Sequence, residues 1–150
     1  MAGASRSDRS MIPMAYPVID TNLFIRALTN DHPTRSVAAG AFLRRIERGE
    51  ITVEAPVTAI ANAVFVLASP RLYNLPRPQV QALLTTLVRL PHLRIASRRM
   101  VLRALVLFGH TTLDFGDCCL VAHLQEAGGT EIYSFDRDFD RIAGITRREP

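Results

Sequence analysis

Asp20 closes a short apolar run, Val18-Ile19, and is followed by the polar pair Thr21-Asn22. Late in the chain the pattern returns: Ile132-Tyr133-Ser134-Phe135 runs into Asp136, with Arg137-Asp138 behind it. In a parallel sheet the C-terminal ends of the strands share one edge, and ligands bind along it. Two carboxylates at that edge repel each other unless a cation sits between them. The pair therefore predicts a metal site, with metal-dependent chemistry on phosphates as its use. Asp114-Phe115-Gly116-Asp117 adds two further acids at the start of a helix. Singly, each acid has a plainer reading. Asp20 and Asp136 serve equally well as turn or helix caps. Asp114 and Asp117 resemble a capping pair favoured by the helix dipole, and Asp138 suits the start of a short last helix.

The elements around these acids alternate. Pro17-Val18-Ile19, Ile51-Thr52-Val53, Leu93-Arg94-Ile95 and Glu131–Phe135 read as strands, and Ile145-Thr146 as a last edge strand. Leu23 to Leu28 has helical spacing, and a second helix starts at Asp31 and Pro33 and stops at Gly49. Val57, Ile60, Ala61, Val64, Phe65 and Ala68 form an apolar stripe at helical period. Helices are also expected over Val80–Leu90, Met100–Phe108 and Phe115–Ala127. Strands alternating with helices predict an α/β fold, a three-layer α/β/α domain with a central parallel sheet of about five strands. The chain has 150 residues, which predicts one domain over residues 16–150 behind a disordered lead-in, residues 1–15.

Composition narrows the partners. Hydrophobic residues make up 48% of the chain, enough for a full core. No apolar segment is long enough to span a membrane. Cys118 and Cys119 are adjacent and form no disulfide framework, which points to a reducing, cytoplasmic setting. The net charge is +4 and every base is arginine; there is no lysine. Between Ala55 and Leu113 there is no acid but there are seven arginines, including Arg71, Arg77, Arg94 and Arg98. The seven acids from Asp114 to Asp140 follow. A basic middle beside an acidic pocket fits RNA held near a bound cation. The acid-free span is expected to form a wall of the RNA path opposite the acids, with Arg71 and Arg77 as RNA-binding residues. The plainer reading of the arginines is a solvated basic surface.

Val18-Ile19-Asp20-Thr21-Asn22, Asp114-Phe115-Gly116-Asp117 and Ser134-Phe135-Asp136-Arg137-Asp138-Phe139 together resemble the PIN domain, and within it the VapC-type toxins of bacterial toxin–antitoxin pairs. The resemblance covers nearly the whole chain, from about Pro17 to Glu149. It implies a metal-dependent ribonuclease using Mg²⁺ or Mn²⁺. Position by position, it implies Asp20, Asp117 and Asp136 as catalytic, metal-binding acids, with Asp114 as a companion ligand. Asn22 and Ser134 match polar helpers, and Asp138 matches an acid that follows the last motif. It further implies a homodimer and a VapB-type antitoxin.

One position departs from the family pattern. The helix after the second strand carries a glutamate in the family; here Asn62 stands there, ahead of Ala63-Val64-Phe65-Val66-Leu67. An amide oxygen coordinates or orients water, yet it brings no negative charge and is no general base. Two outcomes follow: an active endoribonuclease toxin, or an attenuated or inactive PIN-like module that binds antitoxin, RNA or one metal without efficient cleavage. Receiver domains, haloacid-dehalogenase-like phosphotransferases and P-loop nucleotidases all require a lysine, and the chain has none.

Overall fold

The computed structural model describes residues 15–150. The expected lead-in therefore lies outside the described residues except for Ala15. The element order is α1 (Thr21–Thr29), α2 (Pro33–Glu47), β1 (Val53–Glu54), α3 (Val57–Ala68), α4 (Arg77–Val88), β2 (Leu93–Arg94), α5 (Arg98–His110), α6 (Phe115–Glu126), β3 (Glu131–Tyr133), a 3₁₀ helix (Arg137–Arg141) and β4 (Thr146–Arg148). Each expected helix and strand position is thus occupied, with boundaries shifted by a few residues. Pro17–Ile19 is reduced to one parallel bridge, Val18 to Glu54. No helix among the described residues is long and apolar enough to cross a membrane.

The five-stranded sheet is not formed. β1 pairs in parallel with β2, β3 pairs in parallel with β4, and the two pairs are separate ladders. Ile19 and Pro17 exchange backbone hydrogen bonds with Glu54 at 2.9 and 2.8 Å. Among the described residues no backbone bond carries the first segment on to β3. A three-layer arrangement also fails at β1–β2. Val53, Ala55, Leu93 and Ile95 face the core, while Glu54 and Arg94, paired in register, are exposed with Val18. A strand buried on both faces needs an unbroken apolar run. Glu54 and Arg94 interrupt theirs with charges, so that face stays in solvent.

One apolar cluster ties the helices together. Phe24 of α1, Ile46 of α2, Ile60 and Leu67 of α3, Leu84 of α4 and Leu105 of α5 are all fully buried. α3 is apolar almost all round, so periodicity alone leaves its orientation undecided. The expected stripe placed Phe65 inward, yet Phe65 is 71% exposed. The solvent face runs through Thr58, Asn62 and Phe65, and the buried side holds Ala59, Ile60, Ala63, Val64 and Leu67. The two polar residues set the face, and Phe65 falls on it by helical spacing.

Two polar clamps hold the connections. Gly49, after α2, sits at φ +74°, where a Cβ would meet the His92 ring at 2.8 Å, so glycine is required twice over. α2 is capped by the His32 ring rather than by Asp31: His32 Nδ1 accepts from Arg35 N–H at 3.0 Å. Asp31 instead accepts from Arg26 at 3.0 Å, from Thr29, and from the Tyr73 hydroxyl in the loop after α3. The second clamp is Arg77. Its Nε donates to the Phe108 carbonyl at 2.8 Å, a second guanidinium nitrogen donates to the Leu113 carbonyl, and its carbon lies 3.8 Å from the centre of the Phe108 ring. The first turn of α4 is thereby fixed to the end of α5 and to the lead into α6.

Arg77 is therefore committed to structure, which corrects its assignment as a free RNA-binding residue. Arg77→Lys, which lacks the fork needed to reach both carbonyls, should lose about 2 kcal/mol or more of unfolding free energy by denaturant titration. An unchanged midpoint would remove the clamp. A second outcome concerns acid. The Tyr73 hydroxyl, then Arg26 and Thr29, against partial desolvation, hold the Asp31 carboxyl down from 3.8 to about 2. A depressed carboxyl contributes stability above its ordinary value and loses it as pH falls through the folded value. The stability gap between wild type and Tyr73→Phe should be steady near neutrality and close between about pH 4 and pH 2, read by thermal melts.

Candidate active site

Three of the candidate acids are helix caps. Asp20 accepts from Leu23 N–H at 3.2 Å, Asp114 from Asp117 N–H at 2.8 Å, and Asp136 from Asp138 N–H at 2.9 Å. Each uses only Oδ1, and all three are exposed. The capping reading and the ligand reading are thus compatible. One oxygen fixes the side chain to a helix start, and the other has no hydrogen bond among the described residues. The position also carries the partial positive charge of a helix N-terminus, which favours an anion there.

α3 is the shared wall. Thr21, next to Asp20, donates its hydroxyl to the Ala59 carbonyl of α3 at 3.1 Å. On another side, Ala61, Val64, Phe65 and Ala68 of α3 line a cavity of about 490 Å³ with Asp114, Phe115 and Gly116 at the start of α6. Asn62 lies on α3 one turn beyond Ala59, exposed. It occupies the helix where the family pattern expects glutamate, and no acid replaces it along α3.

Asp117 carries the clearest electrostatic signature. It is half-buried, and its carboxyl is pushed up from 3.8 first by desolvation, then by the charges of Asp114, Asp136 and Asp138. Four acids from two separate segments are therefore within one another's field. Among the described residues no three His, Cys, Asp or Glu side chains are close enough together to hold one metal ion. Asp20 stands at the start of α1, tied to α3 through Thr21. In kind, the donor set suits Mg²⁺ or Mn²⁺, since all the ligating atoms are hard carboxylate oxygens. A cation also offsets the repulsion that raises Asp117.

The remaining candidates divide. Ser134 accepts from Asp136 N–H at 3.0 Å and so shapes the turn that presents Asp136. Asn22 lines a different cavity, about 400 Å³, between α1 and α2 with Leu23, Arg26, Arg35 and Phe42. Arg71 is exposed and makes no ion pair among the described residues. Arg103 and Arg99 pair with Glu126 at 2.9 and 3.6 Å, and Arg98 donates to the Leu90 carbonyl at 3.2 Å. The acid-free span is therefore not one continuous open wall. Arg77 adjoins Leu113 rather than standing opposite the acids.

Arg147 was missed as a site residue. From the last strand it donates to the Ser134 carbonyl at 3.0 Å, to Asp140 at 2.9 Å and to Glu149 at 2.9 Å. These partners, Asp140 foremost, raise its pKa further. It binds the Ser134–Asp136 turn to β4. Its one signal in the sequence was its place directly after the expected edge strand, Ile145-Thr146; the structure extends that strand through it, opposite Ile132.

Carboxylates beyond short parallel strands on an α/β scaffold suit divalent-cation chemistry on phosphates. The PIN domain model matches residues 18–145, and the chain belongs to the PIN domain family. No curated protein matches the chain. PIN domains are typically metal-dependent nucleases acting on RNA or DNA, generally with divalent cations such as Mg²⁺.

The raised Asp117 carboxyl fixes a sign. A group whose pKa rises on folding makes stability fall as pH climbs from its ordinary value through the raised one. Asp117→Asn should therefore raise the metal-free melting temperature at pH 7, and the gain should vanish below about pH 3. Added Mg²⁺ should raise the melting temperature of wild type and raise that of the variant less. Destabilisation by Asp117→Asn at neutral pH would contradict the like-charge field.

Proposed function

We propose that the chain is a metal-dependent endoribonuclease, the toxin of a toxin–antitoxin pair, acting in the cytoplasm. The observation that carries the reading is the setting of Asp117: a half-buried carboxyl at the start of α6, raised by desolvation and then by the charges of Asp114, Asp136 and Asp138. Such a cluster costs stability unless it is used. Asp117 and Asp136 are the residues to hold Mg²⁺ or Mn²⁺, with Asp20 closing the set and Asp114 adding charge. When bound, the ion supplies an activated water and neutralises charge on the phosphate. The chain's own residues do the rest. Ser134 and Arg147 hold the Asp136 turn, and exposed Arg71 attracts the phosphodiester backbone. The family resemblance adds a VapB-type antitoxin and a homodimer as partners.

Asn62 favours a second reading, an attenuated nuclease. Its exposed amide orients a water or a phosphate oxygen but takes up no proton. Cleavage of mixed-sequence RNA in Mn²⁺ or Mg²⁺ by wild type, Asp20→Ala and Asn62→Glu separates the two. Asn62→Glu should raise the rate by roughly 10²–10⁴, and Asp20→Ala should abolish it. Restoration only in Asn62→Glu would favour attenuation. No cleavage by any of the three, in either metal, would sink the nuclease reading.

A further inference from the structure

The groove between α3 and the start of α6 is apolar, unpartnered and joined to the acids. It measures about 490 Å³, within the range of roughly 300–1,000 Å³ typical of small-ligand sites. Its lining includes Phe65, Pro70, Phe108, Asp114 and Phe115, with the Arg77 guanidinium stacked on Phe108. Phe65 is 71% exposed, on the same helix face as Asn62 and one turn away. A large aromatic left in solvent beside a polar, charged edge is the build of a stacking platform for a base, whose flat face suits any nucleobase. The edge chemistry is selective. Asp114 spends Oδ1 on the α6 cap and offers a second carboxylate oxygen, an acceptor only. Cytosine, adenine and guanine all present an exocyclic amine to such an acceptor, whereas uracil has no amine and flanks its one ring N–H with carbonyls that repel it. Arg71 is the next residue after the lining residue Pro70, exposed and without an ion pair among the described residues, suited to the RNA backbone.

We propose that this groove is a base-selecting subsite for single-stranded RNA: Phe65 stacks one amino-bearing base (cytosine, adenine or guanine, against uracil), Asp114 accepts from its exocyclic amine, and the exposed Arg71 that follows the groove attracts the backbone. It rests on the ribonuclease reading and adds to it a determinant of which sequence is held beside the acids. Asp114 favours RNA over a protein occupant, since it lines the groove and also caps the helix that carries Asp117.

The test uses the full chain, fluorescently labelled RNA octamers and anisotropy in Mg²⁺. Wild type should bind oligo-C or oligo-A more tightly than oligo-U. Phe65→Ala should weaken binding to the preferred octamer by roughly tenfold, Phe65→Trp should retain it, and the melting temperature should be unchanged because Phe65 packs so little of its surface. Moving a single abasic site along the octamer should find one position that weakens wild type to the same degree and leaves Phe65→Ala unaffected. If wild type binds RNA yet no abasic position couples to Phe65, the subsite is overturned and the nuclease reading stands. If Phe65→Ala leaves RNA affinity intact but changes the sedimentation coefficient, the groove belongs to a protein interface and the proposal is wrong. If wild type binds none of the octamers, both the subsite and the reading beneath it fall.

Discussion

Helix capping by carboxylates governs how this chain presents its acids. Asp20, Asp114 and Asp136 each accept a backbone N–H at the start of a helical segment, through one oxygen. A capping bond is worth about 1 kcal/mol in a typical helix and restricts the side chain to one arrangement. The residue is therefore held without a dedicated supporting shell. Capping also positions each carboxylate at the positive end of a helix, which lowers the cost of leaving it charged in an acidic neighbourhood. Asp117 lacks that help: it donates its backbone N–H to Asp114 and keeps its own carboxyl half-buried. It is accordingly the acid whose titration is disturbed. Stability and chemistry thus divide among neighbouring acids in the same motif.

Helix α3 decides which of these acids meet. Its buried side, Ile60, Ala63, Val64 and Leu67, is locked in the core, so its exposed side cannot rotate away. Thr21 ties the Asp20 end to it through the Ala59 carbonyl, and the α6 start meets it around Phe65. Arg77 then fixes where α6 begins, by holding the Leu113 carbonyl one residue before Asp114. An arginine that composition assigns to RNA thus acts on the site by setting the position of an acid. Its planar fork reaches two carbonyls and stacks on Phe108 together, which an ammonium could not do.

Legibility followed the physics. The acids were readable because an acid after a strand or at a helix start is a local pattern, and the structure keeps those positions. The helices were readable from period and breakers, Gly49 and the prolines among them. The sheet was not: its extent depends on pairing between distant segments, and two-residue strands carry little periodic signal. The exposed face of β1–β2 was written in Glu54 and Arg94, and a strict alternation test would have found it. Phe65 was misplaced because α3 is nearly all apolar; Thr58 and Asn62 were the only marks of its outer face. Arg77 and Arg147 were opaque for a shared reason. Composition counts a guanidinium as free charge, whereas its partners here are carbonyls and acids far along the chain.

Asn62 is best understood through the same charge balance. Burial, then the three acids Asp114, Asp136 and Asp138, already raise the Asp117 pKa. A glutamate on the exposed face of α3 would add a fifth negative charge near a helix with no compensating base on its outer side. Asparagine keeps a polar, hydrogen-bonding group of similar reach and omits that charge. The substitution therefore moves in the direction that favours the metal-free fold and weakens the hold on a second cation. Stability without metal and affinity for metal draw on the same repulsion with opposite sign.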